Sequence, residues 1–128
     1  MPEQTWASTG LEVLHPADFP GGRLDRPGTA VVCFGATWCP VTRRFLPRFL
    51  ALNGRVQGTL MIADISDRDD PLWDVFHIRI TPSILVFDDG ALRTRIDGRR
   101  MIGITSAALA RFEAQLSPRS VSGPVAAP

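Results

Sequence analysis

The chain has 128 residues, a formal net charge of +1, 45% hydrophobic residues and 21% charged residues. That is the size and balance of one ordinary domain able to bury its own core, and the charge gives no reason to invoke nucleic acid or an acidic partner. No apolar run approaches the ~18 residues of a membrane-spanning helix, so no membrane partner is expected either.

All 14 basic residues are arginine, and lysine and tyrosine are absent; we read this as compositional bias. The first ten residues, MPEQTWASTG, lack the basic start and apolar stretch of a secretory signal. Two cysteines do not make a disulfide framework, and a reducing cytoplasm is the expected compartment.

In chain order, residues 1–10 are polar and expected to be loose, and Leu11–Leu14 alternates weakly as a short strand. His15 to Phe19 enters a helical turn that Pro20-Gly21-Gly22 must cut short. TAVVCF, residues 29–34, is an apolar, β-branched run that suits a strand buried on both faces. From about Cys39 to Leu52, apolar residues recur at helical spacing. Pro40 stands in the first turn, where a helix tolerates it; Pro47 stands inside, where it should kink the helix.

GTLMIADI, residues 58–65, is a second buried strand, and Pro71 opens a short helix, PLWDVFHI. SILVF, residues 83–87, Asp88-Asp89-Gly90 and residues 92–96 read as a hairpin, with Leu92, Thr94 and Ile96 on one face and Arg93 and Arg95 on the other. Thr105 or Ser106 can cap a last helix that presents Leu109, Phe112 and Leu116 on one side. Residues 117–128 are Pro/Ser/Ala-rich and expected to be a disordered tail. Strands alternating with helices imply an α/β fold with helices on both faces of a sheet. The domain is expected to span residues 11–116.

Cys39 lies where strand gives way to helix. Amides at a helix start are unpaired and carry partial positive charge, so a thiolate is favoured there. Arg43 and Arg44 follow within about a turn and should add to it. Cys33 reads as a small core residue, because a Cys33–Cys39 disulfide needs Cα atoms within about 7 Å and aligned Cβ vectors. His77 reads as a boundary histidine. The cysteines and the scattered His15 and His77 form no metal-ligand spacing, and no cofactor is expected. Asp64, Asp67, Asp69 and Asp70 read as a solvated loop, with Asp69 or Asp70 capping the helix at Pro71. Arg93, Arg95, Arg99 and Arg100 read as an exposed edge where charge discourages pairing.

ATWCPVTR, residues 36–43, resembles the active-site segment of the thioredoxin family, which reads W-C-x-x-C followed by a basic residue. The resemblance covers roughly residues 11–116. Val32-Cys33-Phe34 matches the strand before the family's active site, Pro47 its helix proline, IRITP (78–82) followed by SILVFDDG its cis-proline segment, and Gly90 and Gly98 two of its glycines. It implies a thioredoxin fold, a central mixed β-sheet flanked by helices on both faces. It also implies that Cys39 is the nucleophile, and that Trp38, Pro40, Arg43, Thr81 and Pro82 bind the partner. By itself Pro82 reads as trans, since X-Pro bonds are cis only ~5% of the time in folded proteins; the resemblance implies cis, with the Thr81 backbone offered to an extended substrate.

The departures from the family pattern are coordinated. The resolving cysteine is replaced by Thr42, which cannot form a disulfide but can donate a hydrogen bond to a Cys39 thiolate. The family's buried aspartate is replaced by Cys33, and its nearby lysine has no counterpart. The expected function is monothiol exchange: Cys39 forms mixed disulfides with protein disulfides or low-molecular-weight thiol disulfides, and an external small thiol releases them. Efficient dithiol reductase activity is not expected. The alternative is a non-catalytic binding module or assembly chaperone that uses the groove around Trp38 and Pro82.

Overall fold

The computed structural model describes residues 6–116. Five strands form one mixed sheet: β1 (Glu12–Leu14), β2 (Thr29–Gly35), β3 (Thr59–Asp64), β4 (Ser83–Asp88) and β5 (Ala91–Ile96), in the spatial order β1-β3-β2-β4-β5. β1, β3 and β2 run parallel, and β4 and β5 are antiparallel additions. The parallel β2–β3 pair needs a crossover, supplied by helix α1 (Pro40–Leu50). A single helical turn, α2 (Leu72–Val75), precedes β4, and α3 (Ser106–Leu116) closes the described chain.

Period-two alternation in the central strands divides the core in two. Val31 and Cys33 of β2, Ile62 of β3 and Ile84 and Val86 of β4 face one side, where Phe45 and Phe49 of α1 and Leu109, Phe112 and Leu116 of α3 cover them. Val32, Phe34, Ala63, Leu85 and Phe87 face the other, under Phe19, Leu24, Leu72 and Phe76. There Phe19, Phe34, Phe76 and Phe87 pack with ring centroids 5.2–5.7 Å apart, the separation at which tilted and edge-on aromatic pairs attract.

Four expectations needed correction. The segment through residue 10 is anchored from Trp6 onward: the indole is 2% exposed in the α1 side of the core, and Thr9 and Gly10 donate to the carbonyls of Trp6 and Ala7. The hairpin does not alternate evenly. Val86 pairs with Thr94 but Phe87 pairs with Leu92, so Arg93 is an extra residue and Leu92 leaves the face of Thr94 and Ile96. Nor is Arg95 an exposed edge charge; it is half-buried, donating to the Phe76 carbonyl and pairing with Asp97 at 2.7 Å. The short helix also stops at Val75, and the chain turns at His77 with φ +53°. α1 runs through Pro47 to Leu50. The tail expected over residues 117–128 lies outside the described residues.

Candidate active site

β2 ends at Gly35, and the turn that follows delivers Cys39 to the N-cap of α1, with Pro40 as the first helical residue. Cys39 is 9% exposed and its Sγ donates to the Thr81 carbonyl at 3.8 Å. The Thr81–Pro82 peptide is cis, which brings the loop before β4 against the nucleophile.

Partial burial is the largest single influence on the Cys39 thiol and pushes its pKa up. The hydroxyls of Thr81 and Thr42 and the amides of Thr42 and Val41 together outweigh it, leaving the pKa below the ordinary value near 9. The amides act because the first turn of a helix has no internal acceptors for them. Thr42 is fully buried, and its Oγ1 has no hydrogen-bond partner among the described residues. That hydroxyl is nonetheless among the groups that lower the Cys39 pKa, and it can turn its proton toward a thiolate. Cys33 differs: it is fully buried between the sheet and α1, and desolvation pushes its pKa up to about 12. Both cysteines are free thiols.

Trp38, Cys39, Val41 and Thr81 line one groove of about 320 Å³. Arg79 and Ile80 just before Thr81, with Arg68, Trp73 and Met101 from elsewhere in the chain, complete it. Pro40 and Arg43 are exposed at the helix start, outside that lining, and Arg43 makes no contact that contributes to the Cys39 shift. His77 lines a neighbouring hollow with Arg79 and Arg95, away from Cys39.

Two supports of the groove went unread in the sequence. The first is Asp64-Ile65-Ser66 at the end of β3. Asp64 Oδ1 accepts from the amide and hydroxyl of Ser66, Ser66 Oγ accepts from the Thr37 amide at 2.8 Å, and the Ser66 carbonyl accepts from Trp38 Nε1 at 2.7 Å. Arg68 sits with its guanidinium 4.1 Å from the centre of the Trp38 ring. So the half-exposed Trp38 is held from both sides. The Asp-x-Ser turn signature was the available signal. The second support is the loop after β5. A side chain at Gly98 would begin 2.3 Å from the Pro82 carbonyl, and one at Gly103 (φ +77°) would begin 2.5 Å from Val41 Cγ1. Only glycine at both places lets this loop close over the cis-proline and the first turn of α1.

A thiol at a helix start, set against a cis-proline loop at one end of a mixed five-stranded sheet, is the arrangement of a thioredoxin-like fold. The thioredoxin family profile matches residues 12–110, and the chain belongs to that family. It is 29% identical over 111 residues to protein disulfide-isomerase A3 of Gallus gallus, a match covering 85% of this chain but only 21% of that protein. Its fold is similar to that of mitochondrial thioredoxin 3 from Saccharomyces cerevisiae (TM-score 0.64, 20% identity, covering 88% of this chain and 99% of the other). Thioredoxin f2 of Chlamydomonas reinhardtii is similar to the same degree (TM-score 0.64, 18% identity, covering 83% and 95%).

Proposed function

We propose that this thioredoxin-family domain exchanges disulfides through Cys39 alone. One observation carries the reading: the thiol with the lowered pKa has a threonine, Thr42, three residues on, and the other cysteine is sealed in the core and held protonated. The Cys39 thiolate attacks one sulfur of a partner disulfide. A Cys39–partner disulfide forms, the old S–S bond breaks, and the departing thiolate takes a proton from water. Thr42 cannot attack in turn, so the adduct persists until an external small thiolate attacks it, regenerating Cys39 and leaving the partner joined to the small thiol. Thr81 and Thr42 stabilise the thiolate, and Trp38 and the Pro82 loop shape the groove. Family membership and the likeness to a disulfide isomerase support protein disulfides as the partner class.

Incubation with a small mixed disulfide followed by intact-mass analysis tests this. A single adduct at Cys39 that accumulates and clears only on addition of thiol is expected; no adduct between pH 6 and 9 overturns the reading. The exposed apolar side chains lining the groove with the nucleophile, Trp38 (42%) and Met101 (83%), favour a second reading as a polypeptide-binding module. That reading predicts that Cys39→Ser retains partner binding and function.

A further inference from the structure

We propose that the Cys39 groove selects polypeptide partners that carry Asp or Glu beside the target cysteine, through Arg68 and Arg79. The inference rests on the single-thiol reading above and names its substrate class.

Two guanidinium groups line the groove with Cys39, and no carboxylate does. The acidic run that precedes α2 is adjacent in sequence, yet three of its carboxylates accept hydrogen bonds from their own loop. Asp64 accepts from Ser66, Asp67 from the Asp69 amide at 2.8 Å, and Asp70 from the Leu72 amide at 2.8 Å. Arg68 stacks on Trp38, an arrangement that leaves its charge unneutralised. Arg79 is exposed and makes no ion pair or hydrogen bond with any described residue. Four arginines do have carboxylate partners, Arg26 with Glu12 and Asp18, Arg55 with Glu113, Arg93 with Asp88 and Arg95 with Asp97. Arg68 and Arg79 have no ion-pair partner among the described residues, and both line the groove beside the nucleophile.

The shape of the surface argues for a chain segment over a small thiol. Arg79 and Ile80 also border a second hollow of about 390 Å³, so the depression continues past Cys39 along the segment leading to the cis-proline. In that second hollow the carboxylate of Asp97 is already bound to Arg95. A partner lying along Ile80–Thr81 would meet Arg68 on the Trp38 side of its cysteine and Arg79 on the other. Carboxylates flanking the cysteine would satisfy both and raise the encounter rate, whereas lysines would be repelled.

The test uses three peptides with one central cysteine, flanked by Asp, Asn or Lys, each as its 2-thiopyridyl disulfide. Cys39 attacks the peptide sulfur, and the released pyridine-2-thione is read by absorbance. At low salt we expect rates in the order Asp, Asn, Lys, with an Asp:Lys ratio of about tenfold. The ratio should shrink in 0.5 M salt, where screening acts within about 4 Å, and approach one in the R68Q/R79Q double variant. Equal rates, or a ratio that survives both substitutions, overturn the proposal. Oxidised glutathione reacting faster than the Asp peptide would assign the site to a small anionic thiol and also overturn it. Neutral 2,2′-dithiodipyridine on the unaltered protein separates the two levels. If it labels Cys39 while the peptides react alike, only charge selection fails. If it leaves Cys39 unlabelled, the single-thiol reading fails and this inference with it.

Discussion

Thr42 is a buried hydroxyl with no ordinary partner, and such a group costs about 1–3 kcal/mol. Its compensation is at the thiol, where it helps hold the pKa of Cys39 down. Thr42→Val keeps the shape and removes the hydroxyl, so stability and reactivity should move in opposite directions. Denaturant melts should show the variant as stable as the parent or up to about 1 kcal/mol more so. Its thiol titration should shift upward, and exchange at pH 7 should slow by about three- to tenfold. The same pair of measurements rising or falling together would remove Thr42 from the chemistry. The two cysteines also give stability an unusual pH profile, because no lysine or tyrosine titrates alongside them. Cys39 is lowered on folding, so between its folded pKa and the unfolded value near 9 the unfolded chain holds the extra proton, and stability rises with pH. Cys33 is raised to about 12, so above pH 9 the unfolded chain loses a proton that the folded chain keeps. Stability should then fall by about 1.4 kcal/mol per pH unit. Urea midpoints should pass through a maximum near pH 9, and Cys33→Ala should abolish the alkaline fall.

At the scale of elements, the groove is a junction of loops pinned by backbone contact. Gly98 lies against the Pro82 carbonyl with room for no side chain. Gly98→Ala should therefore cost about 2–4 kcal/mol and disturb Cys39 titration, as expected where an added atom meets backbone. Gly54→Ala is the control: its φ is +82° with nothing within 4 Å, so it should cost only about 1–2 kcal/mol of left-handed strain and leave the thiol unchanged. Chemical denaturation with parallel thiol titration separates the two. The regular elements were legible because the strands and α1 carry their own periodicity, and the CPVT turn because its residues are contiguous. The bulge at Arg93 was not legible, since Leu92, Thr94 and Ile96 continue an even alternation that the backbone breaks. Arg68 and Arg79 were hidden for another reason. Their charges cancel in a net value of +1, and only the folded chain shows that the neighbouring carboxylates turn into their own loop.

For the whole molecule, the least legible residue is Trp6. A lone aromatic in a polar segment has no period to reveal it, yet its indole fills space beside Gly35 at the end of β2. A side chain at Gly35 would begin 2.6 Å from Thr42 Cγ2 and 3.3 Å from Trp6 Cη2. The first described turn of the chain, the sheet end and the first turn of α1 are therefore one packed unit, joined where no hydrogen bond joins them: Trp6 Nε1 and Thr42 Oγ1 are both unpartnered among the described residues. Removing the indole takes away a large buried surface and opens a cavity directly under Thr42. Trp6→Ala should cost about 3–5 kcal/mol, and water entering that cavity should raise the solvent access of Cys39. Trp6→Phe keeps most of the apolar volume and should recover more than half of the loss. The decisive readout is the ratio of Cys39 labelling rates by neutral disulfide at a pH where both variants are folded. A labelling rate unchanged in Trp6→Ala, with stability lost, would show that the indole closes the core without touching the chemistry.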